Sequence, residues 1–169
     1  FIKNNEIFAK VLIDKNSPFL RSVVLNKGSK NNIKLGMAVL DGEYLIGKVV
    51  EVNFFTSRVL LLSDINSKIP VSVSPNDIQA IMSGDGNQNA TLQYIQGTDF
   101  KNNIEDMMVT TSGAGGLFKS GILIGKINAT ENTALNDLNV DVFKDFTQLK
   151  YVKVISFSKE EKTLDETSK

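Results

Sequence analysis

The sequence predicts an all-β protein arranged as two small, six-stranded-type β-barrels. Short apolar stretches recur along the whole chain, and glycine, asparagine and aspartate turns punctuate them. One strand motif also occurs twice, about half a chain apart. The first stretch, FAKVLID (8–14), ends in the turn-rich KNSP, and RSVVLNKG (21–28) stops at Gly28. After the loop SKNNIKLG come MAVL (37–40) and Asp41-Gly42, a strong hairpin signal. EYLIGKVVEV (43–52) and SRVLLLSD (57–64) follow. In KIPVSVS (68–74), Ile69, Val71 and Val73 alternate with Pro70, Ser72 and Ser74, the period of a half-buried strand. QAIMSGDG (79–86), ATLQYIQ (90–96), DMMVTTSG (106–113), ILIGKI (122–127) and QLKYVKVISF (148–157) complete ten or eleven strands. Helix signals are scarce. The opening FIKNNEIFAK admits the end of a helix arriving from upstream, although Asn4 and Asn5 are poor helix formers. The polar stretch 158–169 cannot bury enough apolar surface to offset its ordering entropy and reads as a mobile tail.

The repeated motif is Leu45-Ile46-Gly47-Lys48-Val49, which returns as Leu123-Ile124-Gly125-Lys126-Ile127. Similar approaches precede the copies, Ile33-Lys34-Leu35-Gly36 in one and Phe118-Lys119-Ser120-Gly121 in the other. A glycine inside a strand marks a bulge, a barrel corner or a close backbone approach, so Gly47 and Gly125 are read as structural. Closing each half into a barrel would remove the exposed edges of an open sheet.

Composition restricts the chemistry. The 169 residues contain no histidine and no cysteine, so Ser-His-Asp and Cys-His nucleophile systems cannot be built. Structural zinc on those ligands and disulfides are excluded with them. Nineteen basic residues balance nineteen acidic ones, which argues against a nucleic-acid binder. No apolar run reaches the length that spans a bilayer.

Each motif that invites a function has a plainer reading. The loop Ser112-Gly113-Ala114-Gly115-Gly116-Leu117-Phe118-Lys119-Ser120-Gly121 resembles a phosphate cradle, yet Phe118 stands where the P-loop needs glycine and no helix pattern follows. It reads as a turn between strands. Asp85, Asn87 and Asn89 alternate like calcium ligands, but Ala90 and Gln96 occupy the places of the sharp-turn glycine and the bidentate glutamate. Adjacent Glu105 and Asp106 would point to opposite faces of a strand. Asp64, after the apolar run 59–62, is placed to cap turn amides. No catalytic, cofactor-binding or metal-ligating residue is assigned. The alternative is a double-barrel hydrolase using a Ser-Lys pair, with Lys119 beside Ser120 and Ser112, although adjacent strand residues diverge. Phe54-Phe55 and Pro18-Phe19 lie in connections, and either form a partner-contact patch or fold back to plug a barrel end.

Several stretches together resemble the bacterial rod-shape-determining MreC family. The carriers are Pro18-Phe19 before a strand, the turn Lys27-Gly28-Ser29, Gly36-Met37, the strand from Leu45 to Val49, the run from Ser57 to Asp64, and Thr111-Ser112-Gly113. They occur in order and with suitable spacing from about Ala9 to Phe157; Lys119-Ser120 departs from the proline common in that family. The structural positions marked by this pattern are Gly28, Gly36, Gly47, Asp64, Gly113 and Gly125. The resemblance implies a chymotrypsin-like double barrel without a catalytic triad. Residues 1–7 would end a coiled-coil helix, 8–64 plus 138–157 would form the first barrel, and 65–137 the second. It further implies a single transmembrane helix upstream and a location on the outer, periplasmic side of the cytoplasmic membrane. The implied function is a scaffold of the elongasome that self-associates as dimers or filaments. Its implied partners are the elongation penicillin-binding transpeptidase, MreD, RodA and MreB.

Overall fold

The computed structural model describes residues 3–12, 21–96, 107–116, 118–128 and 138–158. Its strands are β1 (Lys3–Leu12), β2 (Ser22–Leu25), β3 (Ala38–Asp41), β4 (Tyr44–Val52), β5 (Ser57–Leu61) and β6 (Lys68–Ser74). They continue with β7 (Ile78–Gly84), β8 (Ala90–Gln96), β9 (Met108–Thr111), β10 (Leu123–Asn128), β11 (Asn139–Val142) and β12 (Tyr151–Ser158). Among the described residues the helical segments are short 3-10 turns.

Hydrogen-bonded neighbours close two rings of six strands. The first runs β12-β1-β2-β5-β4-β3 and back to β12. The second runs β6-β7-β8-β11-β10-β9 and back to β6. Read in these orders the rings have one topology, with β12 of the first standing where β6 stands in the second. The all-β double barrel expected from the sequence is therefore present, and closure leaves neither sheet with a free edge along its paired length.

The sequence repeat marks the same event in both rings. Against β3, Gly47 faces Val39 and Leu45 faces Leu40, so Ile46 is the extra residue of a β-bulge. Against β9, Gly125 faces Val109 and Leu123 faces Thr110, so Ile124 is extra. Both isoleucines are buried. The bulge presses the next strand close: a Cβ on Gly47 would collide with the carbonyl oxygen of Leu60, and one on Gly125 with that of Asp141.

Period-two alternation shares single strands between two cores. Val39, Ile46, Val152 and Val154 fill the first ring with Leu25, Ile33 and Val59. Their neighbours Ala38, Leu40, Leu45 and Ile155 join the core of the second ring, beside Val71, Met82, Leu92, Val109 and Val140. This is why MAVL is apolar without alternation: both faces of β3 are buried. A parallel contact, Leu123↔Tyr44, links the rings directly.

Two expectations need correction. The residues from Lys3 to Ile7 form no helix end; β1 begins at Lys3 and pairs with β12 from Lys3↔Ser158 to Lys10↔Tyr151. A ready partner strand outweighs the weak local preference of Asn4-Asn5. Among the described residues the strands number twelve rather than ten or eleven, the addition being β11. Its NVDV is four residues flanked by asparagine and aspartate, yet it closes the second ring by pairing with both β8 and β10. Pro18, Phe19, Phe1, Ile2 and residues 159–169 lie outside the described residues.

Candidate protein-contact site

Phe54 and Phe55 form the tip of the β4–β5 hairpin. They are 59 % and 63 % exposed, so they do not plug the barrel end. Their rings meet edge to face, with centroids 4.7 Å apart and planes at 80°. The turn is held from the side by the 3-10 segment Ser29–Asn31. Ser29 N donates to Asn53 O at 2.9 Å and Lys30 N donates to Phe54 O at 3.1 Å. Gly28 makes this approach possible, since a Cβ there would overlap the Asn53 carbonyl and crowd Phe54 O and Thr56 N. Lys30 Nζ sits 5.4 Å above the Phe55 ring.

Strand direction fixes which features share an end of the first ring. The connections 26–37 and 53–56 and the ends of β1 and β12 at Lys3 and Ser158 lie together. Exposed Leu35 belongs to this end, beside Gly36, whose N–H donates to Val49 O at 2.8 Å. The β3–β4 hairpin and the exit toward the second ring occupy the opposite end.

That exit is built on Asp64, which is 1 % exposed. Its carboxylate accepts from Asn66 N at 2.7 Å and from Arg21 N at 2.7 Å. Arg21 Nε in turn donates to Gly86 O at 2.6 Å, and Gly86 N donates to Ser63 O at 2.9 Å. The Asp64 carboxylate thus joins the start of β2 to the crossover, and Arg21 and Ser63 extend the link to the β7–β8 turn. A matching turn leaves the second ring at Asp145, whose carboxylate accepts from Thr147 Oγ1 at 2.6 Å and Thr147 N at 2.9 Å. The Thr147 hydroxyl, followed by its amide, holds the Asp145 carboxyl below the usual aspartate range. Beside it Lys144 pairs with Asp41 at 3.5 Å and stands over Tyr44, which packs against Phe143.

The loops that resembled chemical sites are turns. Ser112 Oγ accepts from Ala114 N at 3.2 Å, and Thr111 Oγ1 donates to Lys119 O at 2.6 Å, while the Lys119 and Ser120 side chains are exposed. The hydrogen bonds described for Ser112 and Thr111 are those of the turn, and the Ser-Lys hydrolase receives no support. Gly113 takes a left-handed φ of +75° in this loop. Asp85 Oδ1 accepts from Asn87 N at 2.7 Å and Asn89 N at 3.2 Å, which uses its carboxylate within the turn. Among the described residues no three carboxylates gather as a metal site would require.

Besides Phe54 and Phe55, the described residues expose Phe8, Tyr94, Tyr151 and, at 36 %, Phe143. Phe8 and Tyr151 are diagonal neighbours on the outer face of β1 and β12. The signal for Phe8 was its phase, shared with Glu6 and Lys10 and opposite to Ile7, Ala9 and Val11. Tyr94 is 79 % exposed at a left-handed φ of 53°, in a β8 bulge that no local pattern announces.

Two rings of one topology, joined through hydrogen-bonded turns and carrying an exposed aromatic tip, define a double six-stranded β-barrel protein. Comparison with known proteins then gives the family. The family model described as "Rod shape-determining protein MreC, barrel core" matches residues 11–156, and the chain belongs to this cell shape-determining family. The cell shape-determining protein MreC of Cereibacter sphaeroides is 34 % identical over 153 residues, covering 90 % of this chain and 49 % of that protein. The chain thus spans about half the length of such relatives. The crystal structure of MreC from Pseudomonas aeruginosa has TM-score 0.78 and 28 % identity, over 90 % of this chain and 99 % of that one. A chain from the complex between a penicillin-binding protein and MreC of Helicobacter pylori has TM-score 0.67 at 18 % identity, over 92 % and 100 % of the chains. At that identity the likeness concerns the fold.

Proposed function

We propose that the chain is the barrel portion of a non-enzymatic scaffold that supports cell-wall elongation through protein contacts. It works on the periplasmic face of the cytoplasmic membrane, anchored by a transmembrane helix elsewhere in the full-length protein. It binds and activates the elongation transpeptidase, self-associates, and works alongside MreD, RodA and MreB. The observation that carries this reading is the solved assembly in which a relative of the same fold meets a penicillin-binding protein. Family membership supports it. Partner contacts run through Pro18, Phe19, Phe54 and Phe55, while Gly28, Gly36, Gly47, Asp64, Gly113 and Gly125 hold the framework. In folding terms residues 65–137 form a unit inserted into 8–64 plus 138–157. To test the reading, the chain is immobilised and exposed to the extracytoplasmic part of the transpeptidase from the same cell and to itself. Saturable binding to either is expected; the absence of both at tens of micromolar would sink it.

A further inference from the structure

From the charge and rigidity of the β4–β5 tip we infer the chemistry of its partner: an apolar protein pocket rimmed by carboxylates, into which Phe54 and Phe55 insert as a preformed knuckle. This deepens the transpeptidase reading and rests on it. A two-residue convex tip needs a concave acceptor. Because Ser29 N and Lys30 N already fix the turn and the two rings pack on each other, little ordering entropy is lost on insertion. Exposed aromatic anchors of this kind carry much of the energy in protein interfaces.

The loop beside the tip is cationic, and the carboxylate at the base of the hairpin, Glu51, is paired with Arg58. The connection 26–37 carries Lys27, Lys30 and Lys34 and no carboxylate, and the tip 53–56 carries no charge. Among the described residues the ion pairs are Arg58–Glu51, Lys144–Asp41 and Lys153–Glu6, none of which uses these lysines. A second copy of the same end would bring Lys30 and Lys34 toward their own equivalents, an unfavourable like-charge contact. A lipid surface fits less well because of where the ammonium sits. Lys30 Nζ lies over the Phe55 ring rather than behind it, so driving that ring into hydrocarbon would carry the charge with it. A carboxylate rim pairs the ammonium while the pocket takes the rings.

The test uses the full chain and the extracytoplasmic transpeptidase, comparing wild type with Phe55→Ser, Lys30→Glu and Lys30→Arg. The two disruptive variants should each weaken binding by at least about tenfold with the melting temperature unchanged, and Lys30→Arg should bind as wild type. Raising the salt concentration should weaken wild type more than Lys30→Glu. If wild type binds and both disruptive variants bind equally well, the knuckle is not the contact and the inference falls while the scaffold reading stands. If wild type does not bind, the transpeptidase reading itself fails. Co-sedimentation with phosphatidylglycerol vesicles that is lost in Phe55→Ser would overturn the protein pocket in favour of lipid. Self-association lost in the same variant would overturn it in favour of a second copy.

Discussion

The chain leaves the matching strands β5 and β11 of the two rings in the same way and then diverges. In the first, Leu62 N donates to Ile46 O at 3.0 Å; in the second, Phe143 N donates to Ile124 O at 3.0 Å. Two residues later stands an aspartate, Asp64 or Asp145, whose carboxylate accepts from the amide two positions on. The main chain closes each turn alike, with Ser67 N donating to Asp64 O and Gln148 N to Asp145 O. Each turn then feeds the strand that fills the same place in its next ring, β6 or β12. Yet Asp64 is buried and also receives the Arg21 amide, whereas Asp145 is exposed and, among the described residues, receives only its own turn's hydroxyl and amide. The same local device is thus a turn cap at one exit and a clamp between rings at the other, according to what packs over it.

The largest expected effect separates the rings by connectivity. The second ring is continuous in sequence from β6 to β11, while the first needs β12, which arrives last. Ending the chain at Lys150 should open the first ring and leave the second closed. Amide exchange would then be fast in β1 to β5 and remain slow in β7 and β8. Equal loss of protection in both rings would show that they fold only together through their shared core.

Next come the bulge glycines, where the comparison predicts equality. Gly47→Val and Gly125→Val each drive a side chain into a backbone carbonyl and should cost about 3 kcal/mol, read as a lower urea midpoint. If one is tolerated and the other not, the two bulges are not equivalent despite their matched registers.

These glycines show how much was legible. The motif around each copy was visible because a glycine among β-branched residues needs a backbone reason, and the two copies share their neighbours. The turns and strands were legible for a similar cause: Asp41-Gly42 and the alternating KIPVSVS state their geometry locally. What stayed hidden depends on distant partners. β11 is a strand because β8 and β10 flank it, and Lys3 to Ile7 are extended because β12 is there. Of the contact site, Phe54-Phe55 were noticeable as adjacent apolar residues in a turn. The brace from Ser29 and the ammonium over Phe55 required the loop 26–37 to be folded beside them. Asp64 was recognisable as a turn cap, but its link to Arg21 spans 43 residues and leaves no trace in local sequence.

Asp64 supplies the third prediction. Asp64→Ala leaves the Arg21 and Asn66 amides without their acceptor and should cost about 2–4 kcal/mol. Asp64→Asn retains one acceptor oxygen and should cost roughly half of that. Thermal unfolding would measure both. A neutral Asp64→Ala would mean that the crossover is held by its main chain and by Gly86, with no contribution from the carboxylate.

The smallest effect sharpens the contrast from the other side. Asp145→Ala removes an exposed cap and should lower the melting temperature only slightly, whereas Asp145→Asn, an equally good capping residue, should be neutral. The pH dependence follows from the direction of the shift. Because Thr147 holds the folded carboxyl below the ordinary aspartate value of 3.8, its contribution is fully present above that value. It is lost as the pH falls through the lower, folded value, where the carboxylate takes up its proton. The gap between wild type and Asp145→Ala should therefore be constant from neutral pH down to about pH 5 and narrow in stronger acid. A gap that widens on acidification would mean that Asp145 is stabilised by something other than Thr147, and that the two exits differ in more than burial.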